Sequence, residues 1–592
     1  MKPNERRALQ IVGCFCFASV AAALLLIDRN SPATGYELSI YESLPAVVWI
    51  CLIAALAGGT GIVVHQAFAD QKGEYWLLGF FILVLVVSVV LLLPVFRGYY
   101  LYSGEDTNAH VQLADEILQT GRFRPENSYP ITHTLMAELA QVCGVAPLHV
   151  VKYIPVLFTV LFMLFSYLLA TSVMPQRGQA LLAAATTALF FNYYHVCTYP
   201  QALAVMTLPL IFYLYFKGFL DASLPFRVAF VTLLLVFPFF HPAPAAVLIV
   251  CLLAAEGTKL AWRVRAGRTQ APSNAATNSV TFGPTLICSV TFLTWISSSY
   301  IFAKTVYNVL NWLVGEIESI PRVAEVEQMF EARGLDLQAQ VILGFKLYGD
   351  NIIYLGLSTI ALLIVGWRFL QRDTRVGNLS ILSITFLVSG PAWVLIFATT
   401  LLVTLGRLLS ANIMMWATPV MAAFALGETL GRWRRARVTV ITAILVLASV
   451  LGVLSVYHSP YILQPSWQIT LHDVRGSEWF WAHAEVPGPG ALITLGIPRV
   501  RADGLVQVPE HFGYATNATL GESFPIDLYM LIGERFRLSA ADPVLSRAAI
   551  SDARLASPGF NRDDLQRLTR DRSVQNLYSN GELDAFLVRA EG

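Results

Sequence analysis

Charged residues are scarce in this chain. Asp, Glu, Lys and Arg make up only 13% of the 592 residues, whereas hydrophobic residues make up 56%, and the mean hydropathy is +0.59. In a typical soluble domain about a quarter of the residues are charged. This deficit excludes an ordinary soluble protein and indicates a chain embedded in a membrane. We also expect no nucleic-acid partner.

Cysteine is rare as well. The seven cysteines lie mostly within apolar segments, and they form neither a disulfide ladder nor a metal-binding pattern. Only Cys143 and Cys197 fall where a disulfide could form near one membrane face. The cysteines therefore indicate no metal site, and we expect no cofactor.

Long hydrophobic runs, by contrast, recur along the whole chain. About thirteen of them, each of roughly 18 to 25 residues, are long enough to cross a bilayer. The sequence therefore predicts an α-helical polytopic membrane protein. The runs are centred near residues 18, 56, 86, 162, 188, 211, 233, 252, 294, 361, 390, 420 and 448.

The basic residues are distributed unevenly between the loops. If the N-terminus is cytoplasmic, basic clusters such as those at 263–268 and 432–437 fall inside, and most acidic residues fall outside. Because cytoplasmic loops carry an excess of Lys and Arg, this orientation is the one we predict. It also places charge at the outer face of the membrane and not at its middle.

This topology divides the chain into two domains. Residues 1–458 form the transmembrane domain, with large outside loops at 97–150 and 307–350, and residues 459–592 form a soluble extracytoplasmic domain. Its composition predicts a small α/β fold. The predicted strands are 491–495, 504–508 and 586–588, and the predicted helices are 542–555 and 563–569.

A short acidic segment follows the third apolar run. Glu105 and Asp106 come soon after residues 76–96, which could cross a bilayer, and they lie at the start of an amphipathic helix predicted for residues 106–118. Carboxylates this close to a membrane are costly unless they have a function. They are therefore the first candidates for a catalytic role, although a role as the N-cap of the helix would also explain Asp106.

Histidines near the predicted outer face form a second group of candidates. His110, four residues after Asp106, could orient a carboxylate or bind a phosphate, or it could be a packed surface histidine. His133 is better explained by a hydrogen bond within its loop than by substrate binding. His241 precedes a proline that ends an apolar segment, so it is either a ligand or a helix-end residue.

Two further outer turns contain polar candidates. His195, Tyr199 and Gln201 form an aromatic and polar turn, which suits either sugar stacking or an interfacial aromatic belt. Arg407 lies in a very short hairpin between two apolar runs. Its forked guanidinium suits a lipid-linked phosphate, whereas the alternative is that it extends to the headgroups.

Several short stretches in this layout resemble the GT-C superfamily of membrane glycosyltransferases, and within it the archaeal enzymes most closely. Members of this superfamily take activated sugars from polyprenyl-phosphate carriers, such as dolichyl phosphate, at the outer side of the membrane. The resemblance rests on residues 31–41 (SPATGYELSIY), 104–110 (GEDTNAH), 198–201 (TYPQ), 241–242 (HP) and 578–581 (YSNG).

The resemblance implies an inverting glycosyltransferase of the cell envelope. Asp106 would be the general base, with Glu105 as the second candidate, and Arg407 would hold the carrier phosphate. The sugar would pass from a polyprenyl-phosphate-linked donor to a lipid-linked glycan or another extracytoplasmic acceptor, within membrane lipids and without a metal. The acidic loop follows the third predicted helix and not the first. These two additional helices depart from the family pattern.

Two alternative functions differ from this interpretation in what they require of the sequence. An oligosaccharyltransferase would carry a Trp-Trp-Asp segment, which residues 478–481 (EWFW) resemble only distantly. A transporter or flippase of lipid-linked sugars would carry charged residues at mid-membrane and paired repeat halves. The sequence pattern shows neither feature, so a glycosyltransferase is the favoured prediction.

Overall fold

A computed structural model describes most of the hydrophobic part of the chain and portions of the C-terminal part. The described residues are 3–69, 73–102, 107–124, 127–220, 223–266, 281–299, 303, 307, 310, 337–399, 412–429, 434–483, 491–495, 513–514, 528–541, 570–571 and 574–588.

The fold is mainly helical. In chain order the helices are α1 Pro3–Arg29, α2 Ala46–Ala67, α3 Tyr75–Leu91, α4 Leu93–Phe96, α5 Thr107–Thr120, α6 Pro130–Cys143, α7 Pro147–Val151, α8 Ile154–Val173, α9 Arg177–Ala188, α10 Pro200–Tyr215, α11 Leu224–Val236, α12 Pro242–Ala266, α13 Gly283–Ile296, α14 Leu337–Leu370, α15 Gly377–Thr399, α16 Thr418–Thr429, α17 Arg434–Val456, α18 Leu471–His483 and α19 Glu534–Ala541.

Within these ranges, eight helical segments are long and apolar enough to cross a membrane, and three shorter apolar helices accompany them. The prediction of about thirteen spans is therefore not confirmed. Two of the predicted centres fall at α9 and α16, which have 12 residues each. A helix of that length extends about 18 Å, well short of a hydrocarbon core of about 30 Å. The long apolar helices nevertheless suggest a membrane-embedded protein.

The two short helices, α9 and α16, lie inside the bundle. Nearly every side chain of α9 is buried, and Thr186 in this helix donates a hydrogen bond of 2.8 Å to the carbonyl oxygen of Pro419 in α16. Tyr354 of α14 donates to the carbonyl oxygen of Thr186 at 2.7 Å. Because backbone groups in an apolar interior need internal partners, these side chains stabilise helices that end within the bundle.

Close packing of α2 against α3 depends on a pair of glycines. A Cβ placed on Gly79 would lie 2.8 Å from the carbonyl oxygen of Gly59, and one on Gly59 would lie 3.2 Å from the carbonyl oxygen of Gly79. Both distances are tighter than ordinary contact. Small residues allow the two backbones to approach, as is common between membrane helices.

The interior of the helical bundle contains a charged pair in α12. Glu256 and Lys259 of α12 are both almost fully buried, and their side chains form an ion pair of 2.7 Å. Tyr215 and the backbone N–H of Thr281 donate to the same carboxylate at 2.8 and 2.9 Å. Two opposite charges one helical turn apart neutralise each other, which allows them to be buried within the apolar segment.

The predicted outside loop 307–350 is partly helical. Its described final part, from Leu337, is the start of α14. Asp350, expected among the acidic residues of this loop, is only 1% exposed within that helix. Its Oδ2 atom has no hydrogen-bond partner.

The C-terminal region contains a five-stranded sheet, in the order β4-β3-β5-β7-β6. The first three strands run parallel, and β7 pairs antiparallel with both β5 and β6. The predicted strands 491–495 and 586–588 are thus found, whereas 504–508 and the two predicted helices at 542–555 and 563–569 lie outside the described residues. The strands are β3 Ala491–Leu495, β4 Gly513–Tyr514, β5 Leu528–Gly533, β6 Val574–Ser579 and β7 Leu583–Val588.

A small additional sheet connects this region to the helical bundle. Strand β1 (Leu101–Tyr102) pairs antiparallel with β2 (Gln468–Ile469). We call the end of the bundle at which these strands meet the domain end. Because β2 leads directly into α18, the pairing attaches the first predicted outside loop to the start of the C-terminal domain.

Residues 31–41, the first stretch of the family resemblance, reinforce this attachment. The backbone N–H of Glu37 donates to Gln468 Oε1 at 2.6 Å, and Gln468 Nε2 donates to the carbonyl oxygen of Gly35 at 2.9 Å. The N–H of Tyr36 donates to Glu582 Oε1 at 3.2 Å. The stretch therefore has a structural role in holding the C-terminal domain against the bundle.

Candidate functional site

The acidic segment begins and ends next to well-packed residues. Glu105 and Asp106 themselves lie outside the described residues, so their catalytic assignment stays a prediction. Tyr102 before them is buried in β1, and Thr107 after them begins α5 and is 1% exposed. The predicted amphipathic helix is confirmed, and Asp106 immediately precedes it, a position that suits an N-cap as well as a base.

Tyr102 and Thr107 line one cavity at the domain end. Its volume is about 20 Å³, and Lys152 and Thr198 also line it. A cavity of this size has room for about one water molecule. The hydroxyl of Thr107 is buried there without a hydrogen-bond partner. The two ends of the acidic segment therefore border a small polar cavity beside a cation.

Lys152 is a basic residue that the sequence analysis missed. Its ammonium group donates to the carbonyl oxygen of Tyr99 at 3.4 Å and lies 5.9 Å from the centroid of the Tyr100 ring. Burial lowers the pKa of Lys152. The sequence could have indicated this residue, because Lys152 comes just after the first predicted outside loop, and few basic residues are expected near the outer face.

The C-terminal domain approaches this cation through α18. Burial raises the pKa of the nearby Tyr100 hydroxyl, and the carboxylate of Glu478 raises that pKa further. Lys152 thus lies beside the Tyr100 ring, and the charge of Glu478 in α18 acts on the hydroxyl of the same tyrosine.

The two histidines of the first outside loop form a buried pair. His110 Nδ1 lies 2.9 Å from His133 Nε2, and His133 Nδ1 lies 2.8 Å from Asn127 Oδ1. Burial lowers the pKa of His110 to about 4, and burial together with the neighbouring His110 lowers that of His133 to about 3. Both rings are therefore neutral near pH 7. His133 therefore makes hydrogen bonds within its loop, as expected for a structural residue.

A tyrosine brings His241 to this pair. The Tyr129 ring stacks on His241 with centroids 4.8 Å apart and an angle of 14° between the planes. The same ring meets His110 edge-on at 6.0 Å. The structure thus brings together His110 and His241, two of the histidines that the sequence selected, with Tyr129 between them.

The turn that contains His195 occupies a different environment. His195 Nδ1 lies within 3.1 Å of both the N–H and the carbonyl of Asn192, and its ring packs near Phe162 and Phe190. Burial lowers the pKa of His195 to about 4. Its Nε2 atom is buried without a hydrogen-bond partner. His195 therefore points into an aromatic interior and does not line the small cavity.

Tyr199 and Gln201 follow in the same turn. Tyr199 immediately precedes α10 and meets Tyr194 edge-on at 5.5 Å, and Gln201 is half-buried in the first turn of the helix. The neighbouring Thr198 reaches the cavity. The turn thus contacts the candidate site through Thr198, whereas a substrate role for Tyr199 or Gln201 stays a prediction.

The remaining predictions concern phosphate, disulfide and metal chemistry. Arg407 lies outside the described residues, so its proposed partnership with Asp106 stays a prediction. Cys143 and Cys197 are both free thiols. In the part of the chain that the structure describes, no three His, Cys, Asp or Glu side chains group closely enough to hold a metal ion.

Comparison with known proteins provides no further assignment. A scan against protein-family models and a search of curated proteins find no match to this chain.

Proposed function

We propose that this protein is a membrane glycosyltransferase of the GT-C type. It transfers a sugar, with inversion, from a polyprenyl-phosphate-linked donor to a lipid-linked glycan or another extracytoplasmic acceptor. In this proposal the N-terminus is cytoplasmic, and the domain end, together with residues 459–592, faces outward.

The observation that supports this proposal most directly is the cavity at the domain end. Tyr102 and Thr107, which flank the acidic segment, line it together with Lys152. Transfer from a polyprenyl phosphate needs a carboxylate to accept a proton from the acceptor hydroxyl and a cation to stabilise the departing phosphate. The sequence supplies the carboxylate in Asp106, next to Thr107, and Lys152 supplies a cation nearby.

Lys152 adds a second candidate to the proposed phosphate site. Arg407 is the residue that the family resemblance implies, and its fork can bind two phosphate oxygens at once. Lys152 presents a single charge, and its partial burial strengthens the attraction between that charge and an anion. A leaving phosphate needs no protonation when such cations are present, which is why one carboxylate suffices.

The buried charges of α12 do not favour the transporter alternative. Glu256 and Lys259 are in direct contact, and Tyr215 and Thr281 donate to the same carboxylate. A pair with these partners is explained by the packing of α10, α12 and the start of α13. We therefore retain the glycosyltransferase as the proposed function.

The decisive experiment replaces the proposed base. In purified membranes supplied with polyprenyl-phosphate sugars, we expect Asp106→Asn to reduce the transfer rate by about 100-fold or more, since general-base catalysis contributes about that much. Asp115→Asn, on the same helix, is the matched control and should retain transfer. Full activity of Asp106→Asn would overturn the assignment of the base. A wild-type protein that moves lipid-linked sugars across vesicles but transfers none would instead support a flippase.

A further inference from the structure

We propose that His110 binds a hydroxyl group of the sugar substrate, with Nε2 as the hydrogen-bond acceptor, and that His133 and Asn127 hold His110 in the tautomer that makes this possible. This inference rests on the proposed function, because it deepens the same site. His110 contacts the substrate in this proposal, whereas His133 and Asn127 are positioning residues.

The argument begins at Asn127, whose orientation is fixed by the backbone. The N–H of Tyr129 donates to Asn127 Oδ1 at 3.0 Å. A backbone N–H can only donate, so the Asn127 atom that faces it must be the oxygen and not the amide nitrogen. His133 Nδ1 lies 2.8 Å from the same oxygen. His133 Nδ1 therefore carries a proton.

The tautomer of His133 determines that of His110. A neutral imidazole has one protonated nitrogen, so His133 Nε2 carries a lone pair. His110 Nδ1, 2.9 Å from that atom, must then be the donor. This leaves His110 Nε2 with a lone pair. Burial lowers the pKa of both rings. Both rings are therefore neutral near pH 7, and these two hydrogen bonds keep the same direction.

The lone pair on His110 selects a particular class of ligand. Among the described residues, none donates a hydrogen bond to His110 Nε2. An unprotonated ring nitrogen accepts from O–H or N–H groups and is repelled by the oxygens of a fully ionised phosphate. A sugar hydroxyl fits this requirement. The phosphate interpretation of His110 is accordingly the less favoured of the two that the sequence allowed.

His110 lies one helical turn from the cavity, although it does not line the cavity itself. The residue lies in the first turn of α5, and Thr107, at the start of this turn, lines the cavity beside Lys152. The stacked rings of Tyr129 and His241 lie next to it. A weakly basic His110 would orient a hydroxyl without taking its proton, which leaves the role of base to Asp106.

The first test measures the tautomer and needs no activity. In protein labelled with ¹⁵N-histidine and held in detergent at pH 7, the His110 signals should show a protonated Nδ1 and an unprotonated Nε2. His133→Gln should preserve this pattern, because the amide oxygen can accept from His110 while its NH₂ donates to Asn127. His133→Leu should abolish it. A protonated Nε2 in the wild type overturns the proposal.

The second test measures transfer with a panel of polyprenyl-phosphate sugars. We expect His110→Phe to raise KM for the sugar substrate roughly ten-fold, the factor that follows from losing about 1.4 kcal/mol of binding. His133→Leu should act in the same way, and His133→Gln should restore the wild-type KM. If His110→Phe leaves both KM and kcat unchanged in an active enzyme, only the present inference fails. If the wild type transfers no sugar, the proposed function fails, and this inference fails with it.

Discussion

Tyr102 and Gln468 lie opposite each other in an antiparallel strand pair, although 366 residues of sequence separate them. The hydroxyl of Tyr102 also accepts a hydrogen bond of 2.9 Å from the backbone N–H of His458. The residue that comes just before the acidic segment is therefore held by the part of the chain that leads into the C-terminal domain. Displacement of that domain would move the start of the segment that contains the proposed base.

Gly35 provides a test of this attachment. A Cβ at Gly35 would overlap Glu582 Oε1, whereas a Cβ at Gly61, in α2, would meet nothing within 4 Å. We expect Gly35→Ala to lower the free energy of unfolding by about 1 kcal/mol, because Glu582 must move away and lose the hydrogen bond that it accepts from the N–H of Tyr36. Gly61→Ala should be neutral or slightly stabilising, because alanine favours a helix. Thermal unfolding in detergent measures both, and equal melting temperatures for the two variants would contradict the close contact.

The ion pair between Glu37 and Arg97 offers a second test at the same place. Arg97 is buried, and its guanidinium contacts the Glu37 carboxylate, which also accepts a hydrogen bond of 2.5 Å from Tyr99. Removing one partner of a buried pair leaves an uncompensated charge, so Glu37→Ala should destabilise the protein by about 3–5 kcal/mol.

An exposed ion pair provides the matched control. Glu116 pairs with Arg124 at 2.7 Å, but the Arg124 side chain is 64% exposed. Glu116→Ala should therefore cost less than about 1 kcal/mol. Denaturant unfolding of both variants distinguishes the cases. The buried status of Arg97 is contradicted if both substitutions have the same small effect.

These contacts show which features a sequence can and cannot reveal. The helix at Thr107–Thr120 was predictable because apolar residues recur at helical spacing, and β3 because its five residues are typical of a strand. The contact of His110 with His133 was not predictable, since it depends on how α5 packs against α6. The burial of Glu256 and Lys259 was not predictable either, because it depends on how α10 and the segment before α13 pack against α12. Lys152 was missed because its significance comes from Thr107 and Tyr102, which are distant in sequence.

The buried histidine pair predicts that stability falls in mild acid. The pKa of His110 is lowered from 6.5 to about 4 and that of His133 to about 3. The unfolded chain therefore binds protons on these residues at a higher pH than the folded protein does. The stabilisation is fully present above about pH 6.5 and is lost as the pH falls towards 4, by up to about 1.4 kcal/mol per pH unit for each histidine.

Variants of the pair isolate this effect from other titrating groups. The pH dependence of the melting temperature between pH 7 and 4.5 should be weaker in a His110→Phe/His133→Phe double variant than in the wild type. A control His149→Phe variant, at an exposed histidine in the last turn of α7, should keep the slope of the wild type. Identical slopes in all three proteins would contradict neutral, buried rings at positions 110 and 133.

Cys143 provides a test of the proposed topology. Its thiol is exposed, as is that of Cys14 within the apolar helix α1. Cys51 in α2 is partly exposed, and the other four cysteines are buried. Because Cys143 ends α6 in the first predicted outside loop, a membrane-impermeant maleimide should label it in right-side-out vesicles, and Cys143→Ser should remove that label. Labelling that requires inside-out vesicles would reverse the proposed orientation.

Lys152 should contribute to donor binding if it stabilises the carrier phosphate. We expect Lys152→Met to raise KM for a polyprenyl-phosphate sugar by roughly ten-fold or more, because the variant loses a charge-assisted contact worth about 1.5–3 kcal/mol.

Lys346→Met is the matched control, because Lys346 resembles Lys152 in its surroundings. Its ammonium group donates to the carbonyl oxygen of Tyr461 at 3.3 Å and lies 4.3 Å from the centroid of the same residue's ring. It does not line the cavity beside Thr107. Lys346→Met should leave KM unchanged, whereas equal increases in both variants would indicate a general effect of surface charge. An unchanged KM in Lys152→Met would assign the phosphate to Arg407 alone.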